Sequence, residues 1–173
     1  MIDYHDKEWG VPLHNDKKLF EFLILEGAQA GLTWQTILNK RKNYRKAFDN
    51  FDPRKISKYT QKAIIKLLKD AGIIRNRLKI GAAVTNAQKF LEIQREFGSF
   101  DKYIWQFVNH KPLKNNFKSL KKIPAKTKES EAMSKELKKR GFKFVGPTIC
   151  YAFMQAVGMV NDHFAGCFRY NEV

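Results

Sequence analysis

The 173-residue chain holds only two cysteines, Cys150 and Cys167, too few for a disulfide framework. No stretch approaches the roughly 18 apolar residues in a row that a membrane-spanning helix needs, and no secretory leader pattern opens it. These absences predict a cytoplasmic protein with no membrane partner. Strict alternation of apolar and polar residues is missing throughout, which leaves little room for half-buried strands. There is no internal repeat and no low-complexity segment. Acidic residues are scarce, 17 against 33 Lys and Arg, for a formal charge of +16.

What is present is a foldable chain, 43% apolar and long enough for a real core, read as one domain over residues 1–173. The positive charge lies in its middle. Residues 41–101 carry 15 basic against 6 acidic side chains, and residues 102–143 carry 13 against 3. The first forty residues and the last thirty are near neutral. A polyanion would release counterions on such a face, so nucleic acid is the natural partner. A lysine-rich solubilising surface is the plainer alternative.

Apolar spacing, caps and breakers predict an all-α protein of eight to ten helices. Residues 1–14 read as an irregular arm, although Tyr4 and Trp9 are large enough to need a surface to pack on. Helices are expected at 17–30, from 33 over Trp34 to Leu38, at 42–49, after Asp52-Pro53, from Thr60 to Gly72, at 75–96, after Ser99, at 130–140 and at 147–157. Residues 109–126 read as loop.

The chain is organised around residues 25–34. An apolar helix stripe of Leu19, Phe20, Leu23, Ile24 and Gly27 runs into them, with Glu26 beside it. A carboxylate on a buried face is costly without a partner. With Tyr4, Trp9 and Trp34 it makes an aromatic set with one anion, suited to a flat cation. The alternative is a core Glu hydrogen-bonded to backbone or to Tyr4. Gly141 to Ile149 reads as a helical hairpin whose backbone N–H groups and helix start, flanked by Lys138, Lys139, Arg140 and Lys143, suit a phosphate. An ordinary hairpin with nothing bound is the alternative. His163 and Cys167, four apart, could share a metal, with His5 far upstream, although such a pair alone is more often coincidence.

Together these features resemble the DNA-3-methyladenine glycosylase I family. The matching segments include Tyr-His-Asp-x-Glu-Trp-Gly-Val-Pro (4–12), Leu-Glu-Gly-x-Gln-Ala-Gly-Leu-x-Trp (25–34), Asp-Ala-Gly-Ile-Ile-Arg-x-Arg (70–77), Lys-Lys-Arg-Gly-Phe-Lys-Phe-Val-Gly (138–146) and Val-Asn-Asp-His (160–163), in order along nearly the whole chain. The resemblance implies a helix-hairpin-helix glycosylase with helical lobes around a base pocket. It would act on double-stranded alkylated DNA, flip out and excise 3-methyladenine, release the free base and work as a monomer. Glu26 is similar to the family's pocket glutamate, the expected catalytic residue. Tyr4, Trp9 and Trp34 resemble its substrate-binding walls. The Gly31-Leu32 turn resembles the part that enters the duplex, and Lys143, Gly146 and Thr148 of the hairpin would contact DNA. His5, His163 and Cys167 resemble three of four ligands of a structural Zn2+. The fourth, a cysteine, belongs to an N-terminal stretch that this sequence lacks, so a shortened N-terminus and a weaker zinc site are expected. Asp162 reads as a support for the metal site.

Overall fold

The computed structural model describes residues 1–173, apart from the side chain of Leu120. The helices are α1 (Ile2–Lys7), α2 (Asp16–Gln29), α3 (Trp34–Ala47), α4 (Pro53–Ile56), α5 (Gln61–Leu68), α6 (Arg77–Phe97), α7 (Phe100–Trp105), α8 (Lys128–Lys139) and α9 (Pro147–Ala156). Side-chain caps start most of them. Asn15, Thr33, Asp52, Thr60, Asn76, Ser99 and Thr127 each accept from a backbone N–H of the first turn, and Pro53 and Pro147 open their helices. Among the described residues no helix is long and apolar enough to cross a membrane.

The structure departs from the sequence reading in four places. The arm is not wholly irregular, since Ile2–Lys7 form α1, six residues long and too short to show a period. The two helices expected over residues 33–49 are one, α3, because no Gly or Pro interrupts residues 34–47. Helix α5 stops at Leu68, well short of Gly72, where the Asp70 side chain accepts from the Gly72 amide at 2.7 Å and turns the chain. The expected loop contains β1 (Leu113–Lys114), which pairs in parallel with β2 (Val160–Asn161). Two residues per strand are too few for alternation to show.

Helix α2 is the axis of the molecule. Leu19 through Ala28 are all buried, and α2 packs against α3, α6, α7 and α9. A helix apolar on nearly every side belongs in a core. Phe20 meets the Phe90 ring edge-on at 4.9 Å, and Phe90 stacks on Phe100 at 4.3 Å. Each such fully buried ring contributes about 1.5–3 kcal/mol.

Helices α8 and α9 form a hairpin across the turn from Gly141 to Gly146. Asn86 of α6, itself 3% exposed, clamps the turn by donating to the Lys143 carbonyl at 2.9 Å and accepting from the Lys143 amide at 2.8 Å. Gly27 lets the turn lie against α2, since a Cβ there would meet Phe144 Cβ at 3.3 Å. The arm after α1 is stitched to the end of α9. Gly10 donates to the Gln155 carbonyl and Leu13 to the Val157 carbonyl, each at 3.0 Å. At Gly158, with φ +70°, a Cβ would fall 2.3 Å from the Val11 carbonyl carbon, so only glycine admits the arm there. These contacts lay α1 beside the ends of α2 and α9.

Candidate active site

Between α1, α2, α3 and α9 lies a cavity of about 360 Å3 whose walls include Tyr4, Trp9, Glu26, Trp34, Ala152 and Gln155. Tyr4 and Trp34 are tilted against each other with ring centroids 5.5 Å apart, and Phe22 backs Tyr4 at 6.4 Å. The Trp34 indole N–H is buried and has no acceptor among the described residues. Glu26 is 4% exposed. It makes no hydrogen bond or ion pair with any described residue, so burial alone pushes its carboxyl up to about 8. The Tyr4 phenol is raised as well, by burial first and by the facing Glu26 second, and stays protonated. The alternative, a core glutamate satisfied by backbone or by Tyr4, is not what the structure shows.

A second hollow of about 350 Å3 shares Glu26, Gln29 and Ala152 with the first and runs out between Gly31-Leu32 and Thr148-Ile149. The base of the site thus opens where α2 ends and α9 begins. Gly31 has φ +76° and open space around it, and Leu32 is 40% exposed. Lys79 closes the α2 terminus, donating to the Ala28 and Ala30 carbonyls at 2.8 and 2.6 Å. Lys143 and Thr148 are exposed on the hairpin. The amides of Gly146, Thr148 and Ile149 donate to no acceptor among the described residues.

On the outer wall, the ligand atoms of His5, His163 and Cys167 lie within 4.8 Å of one another. Cys167 Sγ is 3.5 Å from His5 Nε2 and 3.5 Å from His163 Nδ1. With zinc bonds of about 2.0–2.3 Å, the edges of a tetrahedron would be about 3.5 Å. The opposite nitrogens are occupied. His5 Nδ1 bonds Asp6 at 2.7 Å, and His163 Nε2 bonds the Trp9 carbonyl at 3.1 Å. If those nitrogens carry the protons, both rings turn their lone pairs toward the Cys167 sulfur. Burial also holds the His163 imidazole below its ordinary pKa.

Asp162 does not support this cluster. Its carboxylate accepts from Asn115, Tyr151 and Gln155 and makes no bond to either histidine. Asp6 and the Trp9 carbonyl take that position. Arg140, expected to flank the hairpin's charge, turns back to Glu96 at 2.6 and 3.0 Å and over the Phe97 and Tyr103 rings.

Comparison with known proteins decides the family. The family described as methyladenine glycosylase matches residues 1–170. The chain belongs to the methyladenine glycosylase family. It is 53% identical over 169 residues to DNA-3-methyladenine glycosylase 1 of Escherichia coli (strain K12), covering 98% of this chain and 90% of that protein. A crystal structure of 3-methyladenine DNA glycosylase I superposes with a TM-score of 0.95 at 52% identity, over 96% of this chain and 92% of that one. A Tyr-to-Phe variant of 3-methyladenine DNA glycosylase I, in complex with 3-methyladenine, superposes at 0.94 with 37% identity, over 96% and 90% of the two chains.

In this family member the structure brings Tyr4, Trp9, Glu26 and Trp34 to one cavity, and Gly31, Leu32 and Thr148 to its mouth. Three positions at or beside the site escaped the sequence reading. Gln155 lines the cavity, Asp6 orients His5, and Asn86 holds the hairpin. Gln155 could have been noticed as a polar residue on the otherwise apolar α9, three residues after Ala152 and seven after Thr148.

Proposed function

We propose that this chain excises 3-methyladenine from alkylated double-stranded DNA by hydrolysing its N-glycosidic bond, as the names of its relatives indicate for them. One observation carries the reading: a buried carboxyl with no protein partner faces an aromatic cavity. A 3-alkylated adenine in DNA is cationic and leaves without an acid catalyst. Flipping it out is least costly for a damaged base. In the cavity its charge draws the ionised form of Glu26, its amino group donates to that carboxylate, and Trp34 offers a face for stacking. Neutral adenine gains no such attraction. Asp162, held by three donors outside the cavity, is not the base for water.

Release of 3-methyladenine from methylated duplex, followed by chromatography, tests this. Glu26→Gln should slow release and weaken binding of the free base by about 1.5–3 kcal/mol, the range for a hydrogen bond to a charged group. No release by the wild type would overturn the activity. Unchanged release and affinity in the variant would overturn the role of Glu26.

The α8–α9 pair serves in this reading as a helix-hairpin-helix element. The free amides at the start of α9 and the Lys143 side chain hold a backbone phosphate, while Gly31-Leu32 enters where the base has left. The enzyme acts as a cytoplasmic monomer. A structural Zn2+ on His5, His163 and Cys167 would clip the two ends of the chain around the pocket. The spacing and ring orientation of the trio support that role. A structural zinc site takes four ligands, of which this trio would supply three.

A further inference from the structure

Gln155 has no role in the mechanism above, yet it lines the base cavity with Glu26. Its Nε2 donates to Asp162 Oδ2 at 2.8 Å. Asp162 is 1% exposed and lies behind the cavity wall. The Tyr151 hydroxyl donates to the same oxygen at 2.5 Å, and Asn115 Nδ2 donates to the other at 2.6 Å. With three donors converging on it, Asp162 acts as an acceptor, and that fixes which end of the Gln155 amide faces it. The nitrogen must point back to Asp162, which turns the carbonyl Oε1 toward the cavity side. That oxygen accepts from no group among the described residues.

We propose that Gln155 is a specificity residue, whose carbonyl reads the exocyclic amino group of the flipped purine alongside Glu26 and so selects 6-amino over 6-oxo 3-alkylpurines. The inference rests on the base-excision reading above. The cavity then offers two acceptors, one from α2 and one from α9. A 6-amino group has two N–H donors and can serve both. A 6-oxo group has none, and brings its own lone pairs against the Gln155 carbonyl, leaving a buried acceptor unpaired. Asp162 is a positioning residue here. Without it the amide could turn over and present a donor, which would suit the 6-oxo base instead.

The test compares wild type with Gln155→Met, which keeps the length of the side chain and removes the carbonyl. Affinities for free 3-methyladenine and free 3-methylguanine are measured by quenching of tryptophan fluorescence, and release of both bases is followed on methylated duplex. The variant should lose roughly tenfold in affinity and release for 3-methyladenine, the size of one buried hydrogen bond, while its affinity for 3-methylguanine is no lower than wild type. A parallel fall for both bases would mean a packing role and overturn the proposal, as would no change. If Gln155→Met fails to fold, the side-chain amide of Gln155 in the wild type, followed by 15N NMR during titration with 3-methyladenine, decides the matter. A shift supports the contact, and an unmoved signal overturns it. Wild-type protein that releases no 3-methyladenine would overturn the excision reading, and this one with it. Wild-type release with an unchanged base preference in the variant would overturn the Gln155 assignment alone.

Discussion

Glu21 and Glu26 are two buried carboxylates on one helix with opposite surroundings. Glu21 accepts from Arg41 Nε at 2.6 Å and from Arg45 at 2.8 Å, and Arg41 reaches on to Glu8 at 2.7 Å while lying over the Phe22 ring. Glu26 faces aromatic rings and has no cation beside it among the described residues. Burial alone therefore does not set the state of a carboxylate in this protein. The presence or absence of a partner does. The Glu21 network ties the end of α1 to α2 and α3, so the satisfied carboxylate builds the wall behind which the unsatisfied one waits.

Among losses of stability, the largest should come from breaking the satisfied member. Glu21→Gln leaves Arg41, with a side chain 11% exposed, short of half its charge partners. Removing one partner of a buried pair costs about 3–5 kcal/mol, and Arg41 keeps Glu8, so the low end is expected. Urea denaturation measures it. A loss under ~1 kcal/mol, typical of an exposed pair, would show that the network contributes no more than a surface salt bridge.

A second tie on α1 is the proposed metal trio, which brings His5 together with His163 and Cys167. If the trio holds zinc, the ion at a hundredfold excess over its dissociation constant would stabilise the fold by about 2.7 kcal/mol. Chelator should lower the melting temperature accordingly, loosen the arm and leave the excision chemistry in place. Cys167→Ser should abolish the chelator's effect. Metal analysis that finds no zinc in protein purified without chelator, together with unchanged melting of Cys167→Ser, would remove the clip.

Glu26 should show the opposite sign from Glu21. Its pKa is raised from 4.5 in the unfolded chain to about 8 in the fold. Below 4.5 both states hold the proton and burial costs nothing electrostatic. Between 4.5 and about 8 the unfolded chain releases the proton while the fold keeps it, so wild-type stability falls as pH rises, by at most about 1.4 kcal/mol per pH unit. Above about 8 the difference is constant. Glu26→Gln has no proton to lose. Its melting temperature should pull ahead of wild type as pH rises from 5 to 8, in the same variant that should slow excision. A gap independent of pH would mean that Glu26 is ionised in the empty pocket.

How much of this was legible in the sequence follows from how local each feature is. The caps Asn15, Thr33, Thr60 and Ser99, the Asp52-Pro53 start and the Gly31 stop act within one turn, and they locate their helix ends. Glu26 stood out because its neighbours at helical spacing are apolar. The partner it lacks could not be read, since Arg41 lies nearer in sequence to Glu26 than to Glu21, and only the direction in which α3 packs assigns it to Glu21. His5 and Cys167 are 162 positions apart, so the resemblance, not spacing, brought them together. Asp162 was placed on the metal through its neighbour His163, but side chains of adjacent residues need not face the same way. Asn86 carried no signal, because a single asparagine in a helix looks solvent-facing until the hairpin turn is laid over it.

The smallest effect tests the same contrast on the basic side. Arg140 and Lys143 flank one turn, and charge counting treats them alike. Arg140 is committed to Glu96 and two aromatic rings, whereas Lys143 is exposed and makes no ion pair among the described residues. Lys143→Ala should weaken binding to undamaged duplex evenly across sequences and reduce the slope of log affinity against log salt by about 1, which fluorescence anisotropy reads directly. Arg140→Ala should leave that slope almost unchanged and appear instead as a small loss of stability, of the order of 1 kcal/mol for a half-exposed pair with cation–π contacts. If Arg140→Ala carried the salt effect and Lys143→Ala did not, the duplex would have to approach α8 from its Glu96 side, and the hairpin turn would no longer be the phosphate site.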